Sequence, residues 1–321
     1  MMRLIDLRFN QRGKRKMRIV TPLMLTLFTL SSAWAEQGLS AVCEPLVLVA
    51  DGAPVTLKHS KGLLWKVSKS FTKPSYLFGT MHVVDPRIVN LPPAVQVVFD
   101  QSDTFVMEAV LDVPEMLEFS QMMFFADGTR LDALLGDQLF DMTADALAYY
   151  GISREVAESM KPWGAYLTLN IPPALGVPLD FMLLESARIN GAAVYGLETL
   201  NEQARVMDDM AIDDQVKLLR DTVCNYDVVQ KDIEQMKDRY LDRDLAGLWA
   251  FTDKYEVQDT AGYQKLMTRL LSDRNRRMVE RMQPMLARGN AFIAIGALHL
   301  PGNRGVLSLL EERGYSVTPV Y

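Results

Sequence analysis

Side chains that usually announce chemistry are scarce in this chain of 321 residues, which has two cysteines and three histidines. No C-x-x-C pair and no metal-type cysteine spacing occurs, which excludes zinc ribbons, thioredoxin-like motifs and cysteine-rich scaffolds. The apolar run Ile19 to Leu30 is too short to span a bilayer comfortably. Low-complexity tracts and repeats of fixed period are missing, and no linker is long enough to argue for two domains. Hydrophobic residues at 49% and charged residues at 23% are ordinary globular values, so wholesale disorder is excluded as well.

Basic charge is also scarce once the N-terminus is set aside. Arg3, Arg8, Arg12, Lys14, Arg15, Lys16 and Arg18 precede the apolar run, and Ser31-Ser32-Ala33-Trp34-Ala35 follows it as a small-x-small cleavage site. Residues 1–35 therefore read as a secretory signal peptide, with an uncleaved anchor as the alternative. Met17 begins a shorter signal of equal quality. Residues 1–35 hold seven of the 34 basic and one of the 40 acidic side chains, leaving 27 against 39 and a formal charge of −12. Such a surface repels phosphate backbones and anionic lipid headgroups, so nucleic acid is not expected as a partner. A periplasmic or secreted protein without a stable membrane span after cleavage is expected. Both cysteines lie in the exported part, where an oxidising compartment favours a Cys43–Cys224 disulfide. Two independently buried thiols are the alternative.

β-rich runs cluster towards the two ends: Pro45 to Ala50, Leu63 to Val67, Ser75 to Phe78, Thr104 to Met107, Ala193 to Tyr195, Ala291 to Ile295 and Ser316 to Val320. Helical spacing fills the middle, with Gly128, Gly136 and Gly151 as punctuation and Pro172, Pro173 and Pro178 as breaks. The expected fold is mixed α/β, with a largely parallel central sheet built from the N- and C-terminal strands. Residues 36–321 are expected to form one domain with a helical insertion from about 112 to 290, interrupted by a strand near 193–196. Methionines at helical spacing, such as Met116, Met122 and Met123, read as core or as an adaptable groove lining.

Two of the three histidines share one setting. Tyr76-Leu77-Phe78-Gly79-Thr80-Met81-His82 is a strand, then Gly, then His three residues on, and Phe292-Ile293-Ala294-Ile295-Gly296-Ala297-Leu298-His299 repeats it. Glycine after each strand allows a turn that a Cβ would obstruct. Each histidine is then presented beyond the carboxyl end of its strand, where open α/β sheets bind ligands. Glu108 and Glu198 follow two other strands. If the four strands are parallel neighbours, His82, His299, Glu108 and Glu198 converge, and such a set suits a divalent cation such as Zn, Mn or Co. One glutamate would complete the ligand set and the other would serve as general base. The bland alternative is that the histidines only cap strand ends. Asp180 falls in the first turn of a helix, where a carboxylate favours the dipole. Arg274 sits in a basic run, from which one arginine turned inward could hold a carboxylate or an oxyanion. His59 lies in a polar turn and reads as a surface residue.

At these residues the chain resembles the TraB/GumN family, related to the TIKI metalloproteases. The segments that carry the likeness are PSYLFGTMHVVDPRI, TFVMEAVLD, PLDFMLLESARINGAAVYGLETLNEQ and the C-terminal stretch containing GALHLPGNRG. The resemblance implies a mixed α/β fold with a proposed metal site at Gly79, His82, Gly296 and His299 and with Glu108 and Glu198 as the acidic pair. It also raises Asp180 and Arg274 as site candidates. Activities in the family are scattered, from peptidase in the TIKI branch to inhibition of a peptide pheromone and a place in a polysaccharide gene cluster. The expected function is therefore an exported metal-dependent hydrolase, a peptidase, acting on a peptide or small-molecule substrate. A non-catalytic protein that sequesters a peptide or haem is one alternative, and a metal-free esterase-like hydrolase with His82 as base and Arg274 at the oxyanion is another.

Overall fold

The computed structural model describes residues 42–44, 46–49, 57–171, 176–255 and 261–321. The expected signal peptide, both candidate start methionines, and Pro172 and Pro173 lie outside the described residues. Six of the seven apolar runs become strands: β1 (Leu64–Ser68), β2 (Ser75–Thr80), β3 (Thr104–Ala109), β4 (Ala193–Glu198), β5 (Ala291–Gly296) and β6 (Ser316–Pro319). They form one sheet in the order β4-β3-β5-β2-β1-β6. β4, β3, β5 and β2 are parallel neighbours, while β1 runs antiparallel to β2 and to β6.

Position in the sheet explains the composition of each strand. β5 lies between two parallel partners and its residues Ala291 to Ile295 are all buried, which is why it reads as an unbroken apolar run. The edge strand β4 buries only Leu197 and Glu198. Phe292 on β5 anchors an aromatic cluster, with ring centroids 5.1 Å from Phe99 and 5.9 Å from Phe78.

The seventh run, around Leu48, does not join the sheet. Among its described residues one bridge pairs Leu48 with Tyr255, and Val49 N–H donates to the Lys254 carbonyl at 3.0 Å. Val47, Leu48 and Val49 stay 45–61% exposed. Cys43 is instead disulfide-bonded to Cys224, at the end of helix Ile212–Cys224. Residues Cys43–Tyr321 make up one unit.

Helices fill the chain between β3 and β5, with β4 among them. Helix Leu179–Ile189 packs on β3 and β4, helix Arg274–Arg281 on β4, and helix Gln283–Arg288 on β5. A second apolar cluster gathers Trp163, Ala204, Val206, Met207 and Leu266. Met122 and Met123 pack against this cluster, which is the core alternative of the two read for them, while Met116 is 37% exposed. No helix among the described residues is long and apolar enough to cross a membrane.

Candidate active site

Strand register brings the two histidine motifs together. β2 and β5 are adjacent, with Gly79 opposite Ile295 and Thr80 opposite Gly296, so both chains leave the sheet at the same edge. β3 flanks β5 on the other side and carries Glu108 to that edge, and β4 places Glu198 opposite Ala109. All four residues expected to converge thus come from the carboxyl ends of parallel neighbours.

The motif glycines are needed for space rather than for an unusual backbone. Gly296 has φ −53°, an ordinary value, and Gly79 is not in the left-handed region either. A Cβ on Gly79 would lie 2.8 Å from Leu300 Cδ1 and 3.1 Å from Ala297 Cα, so glycine lets the two motif loops touch. A Cβ on Gly296 would lie 3.1 Å from Glu108 Oε1, 3.5 Å from His299 Cδ2 and 3.9 Å from His82 Nε2. That one point is shared by three functional groups. The two imidazoles, each within 4 Å of it, approach each other to no more than twice that distance.

Each imidazole is oriented through Nδ1. His82 Nδ1 donates to Asp180 Oδ2 at 2.6 Å, and Thr80 Oγ1 donates to the other oxygen of Asp180 at 2.9 Å. Asp180 stands in the first turn of helix Leu179–Ile189, as the sequence suggests, but its carboxylate serves His82. His299 Nδ1 meets Asn275 Oδ1 at 2.6 Å. Asn275 Nδ2 donates to the Arg304 carbonyl at 2.9 Å, which turns the amide oxygen towards the ring and places the proton on Nδ1. His299 Nε2 therefore faces Glu108 Oε1, 3.7 Å away, with a free lone pair.

The carboxylates are held by a buried arginine network. Glu108 accepts from Gly296 N–H at 2.6 Å, from Arg274 Nη2 at 2.5 Å and from Gln203 Nε2 at 3.2 Å. Arg274 Nε donates to Glu198 at 2.8 Å, and Arg277 donates to the second oxygen of Glu198 at 3.2 Å. The Glu198 side chain is fully buried, so it faces two arginines rather than the open space beside the imidazoles. A π-helical stretch, Thr268–Asp273, immediately precedes Arg274. The β4 edge is tied off by a capping box, Thr199 with Glu202, that starts helix Leu200–Asp208 and presents Gln203 to Glu108.

This setting drives the ionisable groups apart. The Asp180 charge, with its hydrogen bond to the ring, raises His82 to about 9. Burial lowers His299 to about 4, with the Glu108 charge working the other way. Burial alone would raise Glu108, but the positive groups around it, Arg274 among them, and the Gly296 N–H hold it below the ordinary carboxylate range.

The donor chemistry fits a divalent cation. Glu108 Oε1, His82 Nε2 and the Cδ2 edge of His299 surround a common point, and hydrogen bonds at both Nδ1 atoms are the usual support of metal-ligating histidines. His299 Nε2 and Glu108 Oε1 are two acceptors facing each other, an arrangement a cation satisfies. Among the described residues, no group of three or more His, Cys, Asp or Glu stands close enough together to enclose an ion. Of the three side chains, His82 is the most exposed, at 59%.

Asn275, Gln203, Thr80 and Arg277 were not singled out by the sequence pattern. Gln203 lies inside one of the family-like segments, and Asn275 is next to Arg274, but neither has a spacing that marks it. His59 lies in a turn as expected, yet its ring packs edge-on against Trp65 and its side chain is only 12% exposed. Thr80, Met81, His82, Glu108, Arg274 and His299 all line one cavity of about 510 Å³.

The chain is 24% identical over 324 residues to the protein named metalloprotease TIKI2 from Danio rerio. That match covers 82% of this chain and 62% of the relative, so this chain spans less than two thirds of the relative's length. No solved structure matches significantly. The model of the TraB/PrgY/gumN family matches residues 63–319, from the start of β1 to the end of β6 and through both histidine motifs. This chain belongs to the TraB/PrgY/gumN family.

Proposed function

We propose that this protein is an exported metal-dependent hydrolase acting on peptide bonds. The observation that carries the reading is the convergence of His82, His299 and Glu108 on one point at the edge of the sheet. The name of the zebrafish relative supports metal-dependent proteolysis, and the basic and apolar N-terminus together with the Cys43–Cys224 disulfide supports a periplasmic or secreted site of action.

His82 and His299 would offer Nε2 to a divalent cation, with Glu108 Oε1 as third donor. When bound, such an ion supplies Lewis acidity that polarises a carbonyl and eases deprotonation of water. Asp180 and Asn275 hold the two rings in the orientation that leaves Nε2 available. Arg274 lies against Glu108 at the cavity wall, where its guanidinium would steady negative charge developing on a substrate oxygen. Glu198 and Arg277 fix Arg274 from behind, so Glu198 is a positioning residue rather than a ligand in this reading.

The test is hydrolysis of a mixed peptide substrate by the purified protein, before and after chelation and after return of Zn, Mn or Co. Activity should vanish with the metal and return with it, and His299→Ala should be inactive throughout. Hydrolysis indifferent to chelation, or intact in His299→Ala, removes the metal-peptidase reading.

A further inference from the structure

The cavity reaches well beyond the groups that would act on a substrate. At about 510 Å³ it falls in the range of pockets that enclose a whole small ligand rather than a single carbonyl. Away from the site its wall is largely apolar, with Met210, Leu218, Ile233, Met236, Met267 and Leu271 contributed by several helical segments. Met210, Met236 and Met267 are only half-buried, which leaves their thioethers free to adjust to an occupant. Charged wall residues away from the site are few. Asp214, Lys217 and Asp221 share helix Ile212–Cys224, and Asp232 is engaged by Lys254 at 2.5 Å and Tyr255 at 2.6 Å.

Cleaving a peptide bond requires groups around its carbonyl and does not require an apolar chamber beside it. An open apolar chamber leaves hydrocarbon against water, and an occupant of like character removes that cost. We propose that the chamber receives bulky apolar side chains of the substrate next to the reacting carbonyl. The substrate class is then peptides carrying Leu, Met, Phe or Trp at that point, with Met236 and Met267 limiting their size. The reaction in this statement rests on the peptidase reading, whereas the binding preference rests on the cavity wall alone. A fatty-acyl chain is a poorer occupant, because the charged groups of helix Ile212–Cys224 interrupt the apolar wall that a long uninterrupted chain needs.

Calorimetry with N-acetyl-Leu-Phe-amide, N-acetyl-Ser-Gly-amide and laurate separates the outcomes. Burial of two large apolar side chains predicts that the Leu-Phe compound binds at least about tenfold more tightly than the Ser-Gly compound. Met236→Trp, which fills the chamber, should weaken Leu-Phe binding about tenfold or more and leave the melting temperature nearly unchanged, while Met236→Leu should retain it. Should Met236→Trp fail to fold, Met267→Trp makes the same test from another element. Equal binding of the two dipeptides, no binding of the Leu-Phe compound, or laurate binding in its place overturns the proposal. Cleavage is scored separately: selective binding without hydrolysis removes the peptidase reading alone, and hydrolysis without selectivity removes this one alone.

Discussion

The backbone N–H of Gly296 donates to Glu108 Oε1 at 2.6 Å, so the second histidine motif and the carboxylate of the neighbouring strand share one hydrogen bond. The bond places that oxygen 3.7 Å from His299 Nε2. A methyl group at residue 296 would stand 3.1 Å from the same oxygen and in the space between the imidazoles.

Gly296→Ala should therefore cost activity far more than stability. Its φ of −53° suits alanine, so the backbone has no reason to change. Displacement of the carboxylate and the rings by a fraction of an ångström to an ångström is expected to lower kcat/KM by about 100-fold. Thermal melting and peptide hydrolysis on the same preparation check this. A variant that loses several degrees of stability and proportionally little activity would show that the glycine is structural.

Arg274 neutralises two buried carboxylates, and its removal strands both. Arg274→Met should lower unfolding free energy by about 3–5 kcal/mol, measured by denaturant titration. Arg274→Lys should fall between, because an ammonium cannot serve Glu108 and Glu198 with the geometry of a planar guanidinium. Arg277→Met should cost about 1 kcal/mol or less, since its partly exposed side chain is a secondary partner of Glu198. Equal losses at the two arginines would contradict the assignment of Arg274 as the central cation.

Asn275 never needs to touch a substrate to matter. Asn275→Leu removes the acceptor for His299 Nδ1 and frees the ring to rotate or to switch tautomer. Metal affinity or activity should drop roughly 10- to 100-fold, with little change in the affinity for apolar dipeptides. Asn275→Asp should retain ring orientation and recover more function than Asn275→Leu. Indistinguishable behaviour of the two variants would argue against orientation as the role.

Asp221, on the cavity wall next to the disulfide helix end, is raised from 3.8 to about 6 by burial, with Lys217 and Arg220 opposing. A raised carboxyl favours the folded state fully below its unfolded pKa, and that contribution is lost as pH rises through about 6. Asp221→Asn should remove this loss and stabilise the protein at pH 8 by about 1–2 kcal/mol, allowing for partial exposure at about 1.4 kcal/mol per pKa unit. At pH 4 the two proteins should unfold alike. Denaturant midpoints from pH 4 to 8 test the sign, and a variant less stable at pH 8 would refute it.

Much of the sheet is legible because burial leaves its mark on strand composition. AFIAI can be read as a strand buried on both faces, and β5 is such a strand. The run PLVLVA is equally apolar, but sequence contains no measure of which edges are vacant, and Leu48 ends with a single bridge to Tyr255. The paired glycines and histidines are visible as a repeated pattern. The reason for the glycines is not: it lies in Leu300, Ala297 and Glu108, which approach from other segments. Asn275 and Gln203 escape sequence reasoning for the same cause, since a hydrogen bond across 24 or 95 positions leaves no periodic trace.

Local chemistry decided where the strands, turns and helix caps fall, because hydrophobic period, glycine and capping side chains act within a few residues of each other. It also set the acidic character of the chain and the placement of a histidine after each of two strands. Only the tertiary fold decided that Arg274 should separate Glu198 from the imidazoles, that Asp180 should serve His82, and that a wall of methionines should stand behind them. Those are relations between surfaces brought together by strand order and helix packing, and their energies depend on distance and burial, which do not exist until the chain has closed.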